Sequence, residues 1–252
     1  MQKSDTIIYR HCPQCNTDNK STDNVGYDTD GWNLKKCPSC KFVYLDSAPV
    51  YKELQDGEFA WEKTTAARTD TRQKKYRLWH NLSKATHWRL YIFKKKNMYD
   101  LLNDHMDSGT VLDLGCGKGH SLLPLPESYK VIGIEISVFE AKCATEVLAK
   151  RNGLVINKPS LHGLKTLDEN SISAVFSRSY LEHETHPKEV LEEVYRALHK
   201  SGIAIIKVPN YGCINRIVMG SKWCGFRFPD HLNYFTPTTL TNMALNAGFE
   251  PR

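Results

Sequence analysis

The chain has 252 residues, of which 40% are hydrophobic and 25% are charged, and its formal net charge is +6. This length and composition are typical of a globular protein with a sizeable core, and they exclude a wholly disordered or fibrous chain. Because no apolar stretch approaches the roughly 20 residues that span a bilayer and the N-terminus lacks the apolar core of an export signal, we expect a cytoplasmic protein without a transmembrane segment.

The first predicted element is a small metal-binding module at residues 8–46. It contains two Cys-Pro-x-Cys pairs, Cys12 with Cys15 and Cys37 with Cys40, and each short spacer lets one turn present two thiolates to the same ion. Four thiolates leave no position for water, so the pattern predicts a structural Zn²⁺ in a zinc ribbon. Tetrahedral thiolate sites also hold iron, so a rubredoxin-like site stays open. The polar segment between the pairs is too poor in apolar residues to form a core, so the metal must supply much of the folding energy.

Residues 47–104 are predicted to form an aromatic linker and a basic helical segment. Between residues 62 and 97 the chain carries eleven basic and two acidic side chains. Aromatic and aliphatic residues recur there at helical spacing, which predicts a basic amphipathic helix whose apolar stripe packs on the rest of the protein. The basic face would suit an anionic small molecule, a membrane surface or RNA, and charge alone does not choose among them.

A glycine-rich turn follows the next predicted strand. Gly115, Gly117 and Gly119 let the backbone turn sharply and approach a ligand closely. Asp113 interrupts an otherwise apolar run that is typical of a buried parallel strand. A dinucleotide fingerprint would need its third glycine at position 120, which is His120 here, so the spacing argues against a bound pyrophosphate. It favours an adenosine-containing cofactor without phosphates, and a cationic sulfonium would tolerate the nearby acid.

Strand and helix patterns alternate through residues 105–252, which predicts an α/β domain with a Rossmann-like, doubly wound and mostly parallel sheet. Strands are expected near 110–114, 130–135, 154–157, 172–177 and 202–208. Glu135 ends the second of these strands. An acid at that position can accept hydrogen bonds from both ribose hydroxyls of a bound nucleoside.

In content and order, these motifs resemble those of the class I S-adenosylmethionine-dependent methyltransferases. Residues 173–187 are similar to that family's fourth strand and the loop after it, and residues 189–210 to its next helix, glycine turn and fifth strand. Trp223 and residues 230–249 resemble a bacterial branch with small-molecule acceptors. The resemblance covers roughly residues 90–250 and implies two more strands than the remaining chain provides. We therefore expect the C-terminal strands to be missing or the sheet to be abbreviated.

The resemblance implies roles for the matching residues. The three glycines would pass beneath the methionine part and the adenosine of S-adenosylmethionine, Asp113 would orient the loop or the ammonium group, and Glu135 would hold the ribose. Ser160 and Leu161 stand where the family usually has an acid for adenine, and they are expected to hydrogen-bond to the ring and to pack on it. The complete set expected at the cofactor is Asp113, Gly115, Cys116, Gly117, Gly119, Glu135, Ser160, Leu161 and Ser179.

Two histidines are the candidates for catalysis. His183 and His231 lie in loops expected to border the pocket, and histidine titrates near neutrality, so either could remove a proton from the acceptor. The alternative is that each caps a turn or only lines the site. Residues 182–186 also suggest a metal, but their spacing is not that of a helical HExxH site and methyl transfer does not require one. The aromatic residues of 211–229 are expected to form a lid or an acceptor wall.

Together, these patterns predict a methyltransferase that uses S-adenosylmethionine, carries a structural zinc ribbon and methylates a small molecule by in-line transfer. A sugar or another metabolite intermediate, including an anionic one, would suit it. One alternative is an RNA methyltransferase that binds RNA through the ribbon and the basic helix. Another is a binding module that kept the fold and lost catalysis.

Overall fold

A computed structural model of the protein describes residues 6–27, 31–57, 59 and 96–252. The basic helix predicted between residues 62 and 97 lies outside this part of the chain, except for its last two positions. Among the described residues, no helix has both the length and the apolar character needed to cross a bilayer.

The N-terminal module is built from short antiparallel strands. β1 (Ile7–Tyr9) pairs with β4 (Ser47–Pro49), and β2 (Leu34–Lys36) pairs with β3 (Val43–Leu45). The sequence also predicts short ribbon strands around residues 32–36 and 41–45, and the second pair agrees with them. The first pair carries the module beyond the predicted boundary at residue 46, because β4 supplies the strand partner that β1 needs.

Two short helices follow, one on each side of the undescribed segment. The helix α1 (Tyr51–Gln55) comes directly after β4, and α2 (Met98–Asn103) precedes the central sheet. A capping box starts α2: the side chain of Asn97 accepts the N–H groups of Tyr99 and Asp100, while the Asp100 carboxylate accepts the N–H of Asn97.

Five parallel strands form the central sheet, which confirms the predicted α/β class. They are β5 (Gly109–Leu114), β6 (Tyr129–Ile134), β7 (Leu154–Ile156), β8 (Ile172–Arg178) and β9 (Leu198–Lys207). Their spatial order is β7-β6-β5-β8-β9, so the strand order reverses at β5, and no other described strand joins this sheet. Such a switch point is where open α/β sheets bind ligands. β9 begins before the predicted residue 202, because Leu198 already pairs with Ile172.

Helices cover both faces of this sheet. They are α3 (Val138–Leu148), α4 (Ser160–Leu164), α5 (Pro187–Ala197) and α7 (Pro237–Asn246). The short helix α6 (Ile214–Met219) lies between β9 and α7 and has no buried residue. Successive strand residues point to opposite faces, so Leu112 packs in one core with α4, α5 and α7, while Val111 packs in another with α2 and α3. Both faces of β5 are therefore buried, as its apolar sequence predicts.

The ribbon shares a sheet with the C-terminal region. The strand β10 (Asn233–Tyr234) pairs antiparallel with β3, which gives a three-stranded sheet in the order β10-β3-β2. One face of β3 contributes Tyr44 to the core shared with α5 and α7, and the other contributes Val43 and Leu45 to an aromatic cluster with Trp223. The ribbon is therefore packed into the protein on both sides of its central strand.

The buried side chain of Arg10 reinforces this junction. Its guanidinium donates to four oxygen atoms: Leu45 O (3.2 Å), Leu232 O (3.4 Å), Thr185 O (2.9 Å) and Asn233 Oδ1 (2.9 Å). Burial lowers the pKa of Arg10 to about 10, which still leaves the group protonated at neutral pH. One cation therefore ties β3 to the loop after β8 and to the start of β10.

Candidate functional site

The four predicted metal ligands come together in the ribbon. The Sγ atoms of Cys12, Cys15, Cys37 and Cys40 all lie within 4.8 Å of one another. The Sγ atoms of Cys12 and Cys40 are 3.4 Å apart, and those of Cys15 and Cys37 are 3.5 Å apart. A tetrahedral Zn²⁺ with bonds of about 2.3 Å holds its sulfur ligands about 3.8 Å apart, so both the donors and their spacing fit such an ion.

The two Cys-Pro-x-Cys turns have the same backbone geometry. The N–H of Asn16 donates to the carbonyl of Cys12 (2.8 Å), and the N–H of Lys41 donates to the carbonyl of Cys37 (3.0 Å). Asn16 and Lys41 both have a left-handed backbone, with φ of 58° and 64°. This conformation is uncommon for residues other than glycine. Its repetition presents the two sulfurs of each pair in an equivalent way.

A cavity of about 780 Å³ lies at the carboxyl ends of the central strands. This volume is in the range of small-molecule sites, which is about 300–1,000 Å³. Its walls come from the glycine turn after β5, the ends of β6 and β8, and the segment between β9 and β10. Pro49, Tyr51, Leu54 and Phe59, which follow the ribbon, close one side. The cavity therefore occupies the switch point of the sheet.

The glycine turn brings the main chain to the surface of this cavity. Gly115 and Gly117 line it with left-handed backbones, at φ of 65° and 53°. A Cβ on Gly115 would lie 2.5 Å from Cδ2 of Tyr180, which leaves no room for a side chain. Gly119 does not line the cavity, and a Cβ there would lie 3.1 Å from Leu148 Cγ of α3. Its small size therefore serves helix packing.

Asp113 lies at the end of β5 with 5% of its surface exposed. The hydroxyl of Ser121 donates a hydrogen bond to its Oδ2. Burial raises the pKa of Asp113 to about 6; the Ser121 hydrogen bond and the charge of Arg178 lower it, while Glu135 raises it further. At neutral pH the carboxylate is therefore ionised in a poorly solvated place, where a bound cation would stabilise it.

Glu135 follows β6 directly, and two backbone groups hold its carboxylate in place. The N–H of Gly117 donates to Oε2 and the N–H of Ser137 donates to Oε1, each at 2.9 Å. Burial raises the pKa of Glu135, and these backbone hydrogen bonds oppose the shift. Each carboxylate oxygen can accept a second hydrogen bond. The group is therefore a rigid acceptor for a pair of neighbouring hydroxyls.

Most of the residues predicted to bind the cofactor line the cavity. Those that line it are Asp113, Gly115, Cys116, Gly117, Glu135, Ser160 and Ser179. Leu161 does not, and it packs against the hydrophobic core instead. Consecutive helix residues point about 100° apart, so the start of α4 turns Ser160 to the cavity and Leu161 away from it.

Three candidate residues from two loops form another wall of the cavity, which we call the Glu-His-His wall: Glu182, His183 and His231. The rings of the two histidines meet edge to face, with centroids 4.7 Å apart. The Nδ1 atom of His183 lies 2.8 Å from Asp230 O, and Nδ1 of His231 lies 2.8 Å from Gly225 O. A carbonyl only accepts, so each Nδ1 carries a proton, and Nε2 is the nitrogen of each ring that can accept a proton or bind a metal ion.

Hydrogen bonds join the two loops of the Glu-His-His wall. The N–H of Leu232 donates to Glu182 O at 2.8 Å. The side-chain amide of Asn233 donates to Leu181 O at 3.0 Å and to Glu184 O at 2.6 Å. This pairing brings His231 to His183, although 47 residues separate His183 from its acceptor Asp230 along the chain.

Sequence reasoning did not identify a buried carboxylate held by two tyrosines beside the cavity. Glu184 Oε1 accepts from the hydroxyl of Tyr51 (2.7 Å) and from the N–H of His186 (3.1 Å), while Oε2 accepts from the hydroxyl of Tyr180. Burial raises the pKa of both tyrosines. Tyr51 lies in the predicted linker, where no motif distinguishes it. The pairing of β1 with β4 places Tyr51 at the cavity.

The predicted aromatic lid divides into two parts. Trp223 lines the cavity, whereas Phe226 packs against Tyr27 of the ribbon, with ring centroids 4.8 Å apart. Phe228 stacks on Phe226 and also contacts Tyr234. Most of these rings therefore attach the segment to the ribbon, and one of them faces the site.

Comparison with known families identifies the larger part of the chain. The family model described as a methyltransferase domain matches residues 67–252. No curated protein sequence matches the chain.

Solved structures with the same fold include an S-adenosylmethionine-dependent methyltransferase from Archaeoglobus fulgidus. It is 22% identical, with 61% of this chain and 66% of that chain covered and a TM-score of 0.51. A possible histamine N-methyltransferase from Thermotoga maritima is also 22% identical, with 60% and 68% covered and a TM-score of 0.47. A Methanosarcina mazei methyltransferase is 17% identical, with 62% and 86% covered and a TM-score of 0.48. The chain thus spans just under two thirds of the Archaeoglobus protein.

Proposed function

The chain belongs to the class I S-adenosylmethionine-dependent methyltransferases, and from this premise we propose that it methylates a small molecule bound in the cavity at the switch point. The observation that carries the proposal is the rigid carboxylate of Glu135 beside the glycine turn. Two oxygens held at fixed positions suit the two hydroxyls of a ribose. The cofactor supplies a methyl group on a cationic sulfur, and the sulfur keeps the bonding electrons when the acceptor takes that methyl.

The cavity residues fit this cofactor in charge and shape. We assign Glu135 to the ribose, Ser160 to the adenine and Asp113 to the ammonium group of the methionine part. A buried carboxylate with a raised pKa is stabilised by a cation, which favours the ammonium at Asp113. Gly115 and Gly117 let the main chain approach the ligand without side-chain interference. Cys116 and Ser179 complete the lining on this side.

We place the acceptor against the Glu-His-His wall, on the side of the cavity that Trp223 also lines. His183 and His231 would act on the proton that the acceptor loses, since Nε2 of each ring can accept a proton. The cavity volume favours a small molecule over a polymer. The basic segment on which an RNA-binding hypothesis depends lies outside the described residues.

We further propose that the ribbon cysteines hold a structural Zn²⁺. Cys12, Cys15, Cys37 and Cys40 supply four soft donors whose spacing suits a tetrahedral ion. A bound zinc would fix the two turns to each other and thereby hold β3 in position for β10. Iron would give the same coordination, and metal analysis of the purified protein distinguishes the two.

We expect cofactor affinity to fall in acid because of Asp113. Its pKa of about 6 means that the free protein must lose this proton to present a charge to the ammonium group. Affinity should therefore be nearly complete about one pH unit above 6, fall to about half at pH 6 and approach a tenfold loss for each pH unit well below it. Calorimetry with S-adenosylmethionine between pH 5 and pH 8 measures this, and Asp113→Asn should bind weakly with no such dependence. A wild-type affinity that is flat across this range would contradict the assignment.

Two measurements test the proposed function. Calorimetry should detect S-adenosylmethionine binding to the zinc-loaded protein, and no binding would refute the enzyme and leave a binding module of the same fold. Transfer of labelled methyl should then appear in a metabolite fraction of the source cells. Label that appears only in the RNA fraction, with binding that weakens strongly as salt rises, would instead favour an RNA methyltransferase.

A further inference from the structure

We infer that the Glu-His-His wall is a second metal site, which binds a divalent transition-metal ion and through it the acceptor. The site is separate from the cysteine cluster and lies at the cavity. One ligand atom from each of Glu182, His183 and His231 can be chosen so that all three lie within 4.8 Å of one another. Two imidazoles and a carboxylate are a donor set that suits zinc, iron and related ions, with further positions open to water or substrate.

The two histidines are oriented as metal ligands usually are. A ligating imidazole normally donates its other N–H to a carbonyl or carboxylate, which fixes the ring and the tautomer. His183 and His231 both do this through Nδ1, to Asp230 O and Gly225 O at 2.8 Å each. Nε2 is then the ring nitrogen through which each histidine would coordinate an ion.

The carboxylate provides an independent observation. Glu182 is 1% exposed, and within the described part of the chain its Oε2 has no hydrogen-bond partner. Its Oε1 lies 4.0 Å from Nε2 of His183, at the limit of an ion pair. A buried carboxylate oxygen without a donor is costly unless the group takes up a proton or a cation binds to it. Among the described residues, Arg227 is the cation whose charge acts on the Glu182 carboxylate. Its Nη2 also lies 3.4 Å from Oδ2 of Asp230.

The distances between the ligand atoms of Glu182, His183 and His231 need only a small adjustment to fit one ion. Ligands bound at about 2.0–2.2 Å to one ion lie about 3.0–3.5 Å apart, so side-chain rotations that close the present separations by about 1 Å complete the site. The backbones of the two loops are already joined through Leu232 and Asn233. No rearrangement of the fold is required.

The ion explains how this wall would handle the acceptor, and in this respect the inference rests on the proposed function. An acceptor oxygen bound to a divalent ion has a lower pKa, so its O–H bond breaks more readily. With Nε2 of both histidines bound to the ion, water takes the proton in place of either histidine. The lone pair left on the acceptor oxygen attacks the methyl carbon, and the sulfur keeps the electrons of the bond that breaks. The site would thus favour small molecules whose reacting atom is an oxygen able to bind a metal.

Cobalt binding tests the site. When Co²⁺ is added to protein that holds one Zn²⁺ per chain, bound by the ribbon cysteines, we expect uptake of one equivalent, with visible absorption typical of nitrogen and oxygen ligands and without a thiolate charge-transfer band. Glu182→Gln and His231→Gln should weaken this uptake by at least about 100-fold. The control is His186→Gln, because His186 belongs to the same loop but does not line the cavity, and its uptake should match that of the wild type.

Thermal unfolding and calorimetry with S-adenosylmethionine are run on each variant. They show whether a loss of cobalt uptake reflects loss of this site, unfolding of the protein or loss of cofactor binding. We expect all three variants to unfold in one cooperative transition and to keep the wild-type cofactor affinity, and His186→Gln also to keep the wild-type unfolding midpoint. No cobalt uptake by a wild-type protein that binds S-adenosylmethionine would overturn the metal site and leave the proposed function intact. Cobalt uptake without cofactor binding would support the site and refute the function. Uptake that produces a thiolate band, or that Glu182→Gln retains, would also overturn it.

Discussion

Replacing Cys37 with serine is expected to abolish zinc binding and to lower the free energy of unfolding by more than about 4 kcal/mol. Cys37 is fully buried and its Sγ belongs to the four-sulfur cluster, so a hydroxyl there removes a strong ligand. The effect should extend beyond the ribbon, because β3 pairs with β10, which begins two residues after His231. We therefore expect the midpoint of thermal unfolding to fall by about 10 °C and methyl transfer to be lost.

The matched control is Cys143→Ser, which alters a partly buried cysteine of α3 outside the cluster and outside the cavity lining. It should keep one zinc per chain and the wild-type unfolding midpoint. Zinc content is measured by elemental analysis and stability by scanning calorimetry. If Cys37→Ser lost its zinc but unfolded at the wild-type temperature, the ribbon would not contribute to the stability of the rest of the protein.

Replacing Glu135 with alanine is expected to weaken S-adenosylmethionine binding by at least about 100-fold. Two charge-assisted hydrogen bonds to the ribose, each of about 1.5–3 kcal/mol, would be lost. The N–H groups of Gly117 and Ser137 would lose their acceptor as well, so the glycine turn would lose part of its support. Calorimetry measures the affinity directly.

Two further variants interpret that result. Glu135→Gln keeps the volume but places an amide NH₂ near a backbone donor, so it should rescue little of the affinity. Glu146→Gln changes an exposed carboxylate on α3 and should bind as the wild type does. An unchanged affinity in Glu135→Ala would refute the assignment of this carboxylate to the ribose.

The central sheet could be predicted from the sequence because its signals are local. Apolar runs such as the one around Leu112 identify buried strands, and the glycines after Asp113 mark the turn at the switch point. The Cys-Pro-x-Cys pairs are equally explicit, since two ligands from one tight turn need no distant information. For these elements a few neighbouring residues determine both the conformation and the chemistry.

The remaining features depend on contacts between distant parts of the chain. Nothing near Tyr51 in the sequence indicates that it reaches Glu184, because the approach depends on the pairing of β1 with β4. Nor could His231 be joined to Glu182 from spacing alone, since the backbone bond from Leu232 creates that proximity. Leu161 is a smaller difference between prediction and structure. The start of α4 determines that Ser160, and not the adjacent Leu161, faces the cavity.

The bonds of Arg10 have a consequence for how the protein is made. Arg10 and its acceptor Asn233 are 223 residues apart in the chain, and β10 adds the last strand to the ribbon sheet. During synthesis the ribbon leaves the ribosome before β10 does, so it cannot complete its sheet or satisfy this buried cation until the 223 residues that follow Arg10 have emerged. Contacts of such high sequence separation form slowly. Until β10 has emerged, the ribbon therefore has an unpaired strand edge on β3. A metal ion bound early would stabilise the ribbon during that interval.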